Sequence, residues 1–412
     1  MSTRRRIATY FAVLLFFSHA GDPTGLTRVP LLFLLKDHLH ASPQAVAVFE
    51  AITQIPAYGA VLFGLVRDLW SPFGHRDRGY FVLAAPAAIA CYLWLASVPL
   101  TYMHLLGGIL GATLAYQMLG AASAALIAAF AHREAASGRL NAFTETVANV
   151  INMFSVIAGG WMISHLASRK IFLLAAGFTL PIFVQAFWMP GVLPDTPSDD
   201  PEQAPKSLRQ LSQNLIPQGR RLWPVVAVLL LYNFSPGWYT PLFYFLTDKV
   251  HLSSEAFGLC RAVQYGATMV ASTIYGLACS RVPLSKLLWL SITINIAPGF
   301  LYLLAHGIVG AILVSAAVGL LTGFVMVALF DLLTRCSPRG LEGSGTAIGY
   351  SVFGLAAAVG DVIGSIVYAR AGFAPCLVID AVTTALILPI LPRLPYSTMS
   401  TTDREPASLR AG

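Results

Sequence analysis

Asp22, Arg28, Glu50, Arg261 and Asp361 sit inside long apolar runs of the sequence. A charge at the centre of a bilayer costs at least about 2.5–3.5 kcal/mol on insertion scales, so ionisable residues in such runs mark ion or solute paths. With a helical rise of roughly 1.5 Å per residue, Asp22 lies roughly 22 Å into the first run. Glu50 and Arg261 lie roughly 9 Å from the opposite surface, and Asp361 reaches a similar depth. Asp22 is flanked by Gly21 and Pro23, which interrupt a helix and free backbone carbonyls for a ligand or ion. It is therefore the first candidate for a proton-coupling carboxyl, with Glu50 the second. The alternative role for Asp22 is to cap the broken helix or pair with Arg28. Arg28, Glu50, Arg261 and Asp361 together form a candidate outer-gate network, in which opposite charges pair when that side closes and separate when it opens. Static ion pairs within each half are the alternative.

Polar side chains recur at helical spacing next to these charges. One stripe is Arg261, Gln264, Tyr265, Thr268, Ser272 and Tyr275; others are Glu50, Gln54 and Tyr58, and Glu145, Asn149 and Asn152. Asn233, Ser235, Trp238 and Tyr239 surround Pro236-Gly237, a second expected break. Aromatic rings and amides beside broken helices suit a planar or polar organic solute. The candidate cavity residues are Gln54, Tyr58, Asn149, Asn233, Trp238, Tyr239, Gln264, Tyr265 and Thr268. Hydrogen bonds between helices, worth about 1 kcal/mol each, are the competing use of the same groups. Asp68, Arg76, Arg78, Glu145, Asp331 and Arg335 lie towards the other surface as candidate inner-gate residues, with Asp331 and Arg335 at helical pairing distance. Asp380 lies in an apolar run with no role beyond a buried partner. Glycines at 345, 349, 360 and 364, and at 107, 108 and 111, permit close helix approach.

The elements that must hold these residues follow from composition. The chain has 412 residues, 56% hydrophobic and 11% charged; soluble domains carry about 25% charged residues. Runs long enough to cross roughly 30 Å of hydrocarbon fall near 7–35, 44–66, 79–97, 101–131, 140–163, 170–192, 222–247, 255–279, 284–306, 308–334, 342–367 and 374–391. Backbone polar groups in lipid must be satisfied within their own segment, so the runs are helices. The ten-residue alternation of a membrane barrel does not occur. The expected fold is all-α and integral to the membrane, with twelve transmembrane helices in two pseudo-symmetric six-helix bundles. Arg4, Arg5 and Arg6 precede the first run in the manner of a signal peptide, but the run continues past Leu31 without a small-residue cleavage site, so a retained helix is expected.

The formal net charge is +7, and its placement argues for lipid over nucleic acid. Most of the 26 Lys and Arg residues fall in alternate loops, the termini and the 193–221 segment, which places both termini in the cytoplasm. Anionic lipid is the natural partner of that charge. Residues 193–221 are rich in Pro, Asp and Ser and read as a cytoplasmic linker with a short amphipathic helix around Leu208–Leu215. The domains expected are a bundle over 1–192, this linker, a second bundle over 222–392 and a cytoplasmic tail over 393–412. The five cysteines have no paired spacing and read as small core residues, neither disulfides nor metal ligands.

The halves share a template. PLLFLLKDHLHASPQA from Pro30 matches PLFYFLTDKVHLSSEA from Pro241, with Leu35/Leu246, Asp37/Asp248, His40/His251 and Ser42/Ser253 in register at a constant spacing of 211. Duplicated six-helix bundles are a transporter architecture with a central site.

Gly64-Leu-Val-Arg-Asp68 followed by PFGHRDRGY (72–80) resembles the signature of the major facilitator superfamily. GLTRVPLLFLLKD (25–37), Ser42-Pro43, Pro56 and CSPRGLEGSGTAIGYS (336–351) resemble the folate–biopterin transporter family. The sequence departs from that family's lysine–proline pair in the second span: no lysine is present, and Pro56 is followed by Ala57 and Tyr58. The resemblance implies a proton-coupled secondary transporter, a symporter of a pteridine- or folate-like solute, in a bacterial inner membrane. It also implies that Asp68 caps or pairs across a bundle interface. Alternatives are a receptor or assembly factor that binds without flux, or a drug or metabolite exporter. The expected partners are a small-molecule solute, H⁺ and membrane lipid, without nucleic acid, cofactor or metal, acting as a monomer. No phosphate loop, helical zinc pair or serine elbow suggests an enzyme.

Overall fold

The structure is a computed structural model that describes residues 3–75, 77–133, 137–188, 219–279, 281–336 and 342–394. The helix expected around Leu208–Leu215 and nearly all of the expected tail lie outside these residues. Every regular element among the described residues is helical. The first half contains α1 (Thr3–Gly21), α2 (Arg28–Phe33), α3 (Pro43–Thr53), α4 (Ile55–Tyr58), α5 (Ala60–Leu69), α6 (Asp77–Ser97), α7 (Tyr102–Arg133), α8 (Ser137–His165) and α9 (Ser168–Phe187). The second contains α10 (Gly219–Asn233), α11 (Thr240–Tyr244), α12 (Ser254–Ala278), α13 (Leu284–Ile294), α14 (Gly307–Cys336), α15 (Glu342–Ala371) and α16 (Phe373–Ala385). Seven segments among the described residues are long and apolar enough to cross a membrane, and three shorter apolar helices accompany them.

Several expected continuous spans are interrupted, each for a local chemical reason. The first run stops at Gly21 and resumes at Arg28, where Gly21 and Pro23 foretold a break. The seventh stops at Asn233 and resumes at Thr240, around Pro236-Gly237. The second run is also divided: Pro56 has no N–H to give, and single turns at Gln54 and Gly59 separate α3, α4 and α5. The ninth changes after Asn295 into a 3-10 helix over Pro298–Leu304. There the Asn295 side chain donates to the Ser291 and Leu321 carbonyls, and Pro298 prevents continuation of the α-helical ladder.

The duplication extends to backbone detail. Leu34–His38 and Phe245–Lys249 each form a π-helical turn, closed by Leu39 N–H to Leu34 O at 3.1 Å and Val250 N–H to Phe245 O at 3.2 Å. The next position in register has positive φ in both halves, +49° at His40 and +58° at His251. Ser42 and Ser253 then accept from the N–H of Ala45 and Ala256 at 3.2 Å, capping α3 and α12.

By chain contacts the protein divides into two compact units, Met1–Ala41 with Ile52–Gln210, and Ser42–Ala51 with Leu211–Gly412. In the first, α6 packs on α7 and α9, and α1 on α8 and α9; one small core joins Ala20, Leu26, Ile151, Met162 and Ile171. In the second, α12 packs along α14 and α10 along α15. Its core runs through Val225, Leu229, Leu288, Leu329 and Leu332, all fully or almost fully buried.

Candidate substrate and coupling sites

Each unit has a broken helix braced by glycine-bearing neighbours. In the first break, Gly25 N–H returns to Asp22 O at 2.8 Å and Leu26 N–H reaches back to Ala20 O at 3.1 Å. Gly25 must be glycine here, because a Cβ would collide with the His19 carbonyl. Tyr92 on α6 donates to the Gly21 carbonyl at 2.7 Å and so satisfies the end of α1. A Cβ on Gly159 of α8 would lie 3.0 Å from Leu26 O, so α8 touches the break directly.

The Asp22 carboxylate is half-buried and accepts from Thr24 N–H at 2.7 Å and from the Thr24 hydroxyl. Arg28 and His19 are within electrostatic range. Behind Gly21 stand the Tyr116 and Thr179 hydroxyls, bonded to each other at 2.7 Å. Asp22 therefore bonds within its own break through Thr24, with Arg28, His19 and the Tyr116 hydroxyl in its wider setting.

In the second break, the position in register with Asp22 is Asn233. Asn233 is buried and turned back on its own helix, donating to Leu229 O at 2.8 Å. A carboxylate reaches this break from elsewhere. Asp361 of α15, buried, accepts from Thr240 N–H at 2.8 Å and from the Thr240 hydroxyl at 2.7 Å. It caps the restarted helix at the end where N–H groups are unsatisfied and the dipole favours an anion. Asp380 of α16 accepts from the Trp238 indole N–H at 2.7 Å. Gly360 and Gly364 of α15 press on this break: a Cβ on Gly360 would lie 2.9 Å from Ser235 N, and one on Gly364 would overlap the Pro236 carbonyl. The close approach expected of these glycines is to a neighbouring break.

The stripe on α12 resolves into three groups. Arg261 donates to Gln264 Oε1 at 2.6 Å and lies 5.6 Å from the Tyr265 ring centroid. Thr268 donates across to the Gly319 carbonyl of α14 at 3.2 Å. Tyr275, buried, donates to Asp331 Oδ2 on α14 at 2.8 Å. Thr268 and Tyr275 thus join two helices. Gln54, Tyr58, Asn149, Tyr239 and Glu50 are all half-buried. Glu50 groups with the second unit, whereas Gln54 and Tyr58, beyond the interruption at Gln54, group with the first.

The described loop between α5 and α6 is held by an ion pair absent from the sequence-derived candidates. Arg67 makes a bidentate contact with Asp77, Nε to Oδ1 and Nη2 to Oδ2 at 2.8 Å, both residues buried. Tyr80 donates to the Trp70 carbonyl at 2.7 Å. Arg78 sits 6.0 Å from the Phe187 ring centroid. Among the described residues no group of three or more His, Cys, Asp or Glu could hold a metal.

The model of the BT1 family matches residues 21–403. The chain belongs to the BT1 family. The folate–biopterin transporter of Synechocystis sp. is 25% identical over 407 residues, covering 92% of this chain and 80% of the relative. A probable folate–biopterin transporter 2 of Arabidopsis thaliana is 21% identical, covering 82% and 71%. Among solved structures, the nucleoside transporter NupG superposes with a TM-score of 0.68 at 14% identity, covering 93% of this chain and 98% of its own. A D-xylose–proton symporter superposes at 0.68 and 13%, covering 97% and 100%. The BT1-family chain thus has the major facilitator fold and is an integral membrane transporter of a small-molecule substrate, and its family is one of transporters.

In this BT1-family transporter, Arg76 and the side chains of Asp68, Glu145 and Arg335 lie outside the described residues. The Arg67–Asp77 pair escapes a reading of the sequence because neighbouring Asp68, Arg76 and Arg78 match the facilitator signature more closely. The buried positions Asp77, Tyr80, Ala84 and Ala88, three to four residues apart, record which side of α6 is covered. The role of Asp380 is not legible in the sequence because its partner is 142 residues away.

Proposed function

We propose that this transporter is a secondary active carrier that imports a pteridine- or folate-like solute, or another polar organic solute, in symport with protons by alternating access. Its membrane is a bacterial plasma membrane, with both termini cytoplasmic. The names of the curated relatives support the solute class. The observation that carries the coupling is Asp22: a half-buried carboxylate at the break of a helix, next to Arg28, where the duplicated position holds a neutral amide. A carboxyl that loses and regains a proton there changes the charge that must be enclosed when the site closes. Gln54 and Tyr58 in the first unit, and Trp238, Tyr239 and Gln264 in the second, are aromatic and amide groups of the kind that a planar polar solute takes. Glu50 with Arg261 supplies opposite charges for an outer gate, and the candidates for an inner one are Asp68, Arg76, Arg78 and Glu145 in the first unit and Asp331 and Arg335 in the second.

The test is uptake of labelled folate and biopterin into proteoliposomes with and without an inward proton gradient, comparing wild type with Asp22→Asn. Gradient-stimulated uptake that is lost in the variant is the expected result. Uptake insensitive to the gradient removes proton coupling. No uptake of either compound by folded protein removes the pteridine reading.

A further inference from the structure

The second break contains a carboxyl whose surroundings are wrong for an ion. Asp380 is 4% exposed. Its Oδ2 accepts the Trp238 indole N–H at 2.7 Å, and its Oδ1, fully buried, has no hydrogen-bond partner. The neighbouring polar group is the Ser235 hydroxyl. That hydroxyl has one hydrogen for two acceptors: while it donates to the Tyr232 carbonyl at 2.7 Å it faces the carboxyl with lone pairs, and turned to the carboxyl it favours the anion. With Ser235 bonded to Tyr232, Asp380 meets one donor and one acceptor. A carboxylate offers two acceptors and cannot use the second partner; a carboxylic acid offers one acceptor and one O–H donor, and matches both.

The other titratable or charged groups near this carboxyl do not compensate an anion. Tyr232 of α10 is within electrostatic range of it, and Tyr239 of the break is within range of Tyr232. Tyr302 of the 3-10 segment packs edge-on against Trp238 at 6.2 Å. Arg261 of α12 lies in electrostatic range of Tyr302. Asp361 of α15 is engaged by Thr240. Asp361 and Asp77, which are also buried, differ from Asp380 in that each has donors to both carboxylate oxygens.

We propose that Asp380 is an exchangeable proton-binding site whose occupancy sets the geometry of the second helix break. This is independent of any role for Asp22. With the proton on Oδ1, the O–H donates to Ser235 Oγ, Ser235 continues to cap the Tyr232 carbonyl, and the end of α10 stays closed. When the proton leaves to water, the carboxylate demands donors. The Ser235 hydroxyl swings to it, the Tyr232 carbonyl loses its cap, and the Trp238 bond becomes charge-assisted and stronger. The glycines that admit α16 and α15 to this point, Gly299 beside Asp380 and Leu377, and Gly360 against Ser235, leave the break little room to respond except by moving as a unit. Trp238 then transmits the change to the aromatic face offered to the solute.

Infrared difference spectroscopy tests this without a solute, using the full chain in liposomes and stepping the pH. Wild type should show a carboxylic-acid C=O band that disappears as pH rises, remains in Asp22→Asn, and is lost in Asp380→Asn. Identical difference spectra for wild type and Asp380→Asn overturn the proposal. Should Asp380→Asn not fold, Trp238→Phe decides: removal of the Oδ2 donor must shift the band, and an unmoved band overturns it. Loss of the band at constant pH on adding sodium chloride, but not potassium chloride, overturns it in favour of a sodium site. Persistence of the Asp380 band in a protein that shows no proton-stimulated folate uptake leaves this site standing while removing the solute reading.

Discussion

Asp361 accepts two hydrogen bonds from Thr240, one from its backbone N–H at 2.8 Å and one from its hydroxyl at 2.7 Å, across 121 residues of chain. A carboxylate from one long helix thereby supplies the cap that the short restarted α11 does not supply for itself. Hydrogen bonds to charged groups contribute about 1.5–3 kcal/mol each. Thr240→Val should lower stability by about that amount, because it deletes one donor and leaves Asp361 Oδ2 under-satisfied. Asp361→Ala removes both bonds and should cost more. Thermal unfolding of the purified protein measures the order, and equal losses would mean the hydroxyl contributes nothing.

The Arg67–Asp77 pair should respond differently to single and double replacement. Removing one partner leaves a buried charge uncompensated, at a cost of about 3–5 kcal/mol. Arg67→Met and Asp77→Leu should therefore each destabilise strongly, whereas the double variant recovers much of the loss. If the double variant is as unstable as the sum of the singles, the pair is held by its individual packing rather than by charge.

Two helix glycines should show opposite signs. Gly364→Ala places a methyl into the Pro236 carbonyl and should lower both thermal stability and uptake. Gly276→Ala meets nothing within 4 Å and should raise stability by about 0.5–1 kcal/mol, the usual gain of Ala over Gly inside a helix. A tolerated Gly364→Ala would show that α15 can withdraw from the break.

Charge exchange tests the proposed outer-gate role of Glu50 and Arg261. Glu50→Arg and Arg261→Glu should each reduce uptake, and the double exchange should restore part of it, since only the pairing of opposite signs is required. Unchanged uptake in both single variants removes Glu50 and Arg261 from gating. Arg261 retains Gln264 and Tyr265 as neighbours either way, so loss of stability in its variant must be measured alongside uptake.

Much of the architecture was legible because it is written in local chemistry. Apolar length requires helices in lipid, and Gly21-Asp22-Pro23 and Pro236-Gly237 each remove the backbone groups that a continuous helix needs. The duplication was legible from Asp37/Asp248 and Ser42/Ser253, and it carries through to paired π-turns and to paired left-handed histidines at 40 and 251. What sequence could not supply was any pairing between distant elements. Nothing in the spacing of Asp361 points to Thr240, nor does that of Asp331 point to Tyr275.

The sequence by itself therefore determined the membrane class, the helical character, the breaks at Gly21-Asp22-Pro23 and Pro236-Gly237 and the family, since hydropathy, Pro and Gly act within a few residues of where they stand; the interruptions at Gln54, Gly59 and Asn295 came only with the structure. Only the tertiary structure decided which carboxylate serves which break. The register-related position of Asp22 is Asn233, a side chain that bonds its own helix, and acids reach the second break on α15 as Asp361 and on α16 as Asp380. A hydrogen bond depends on donors and acceptors within about 3 Å, and which atoms come that close is settled by the packing of helices 142 residues apart in the chain.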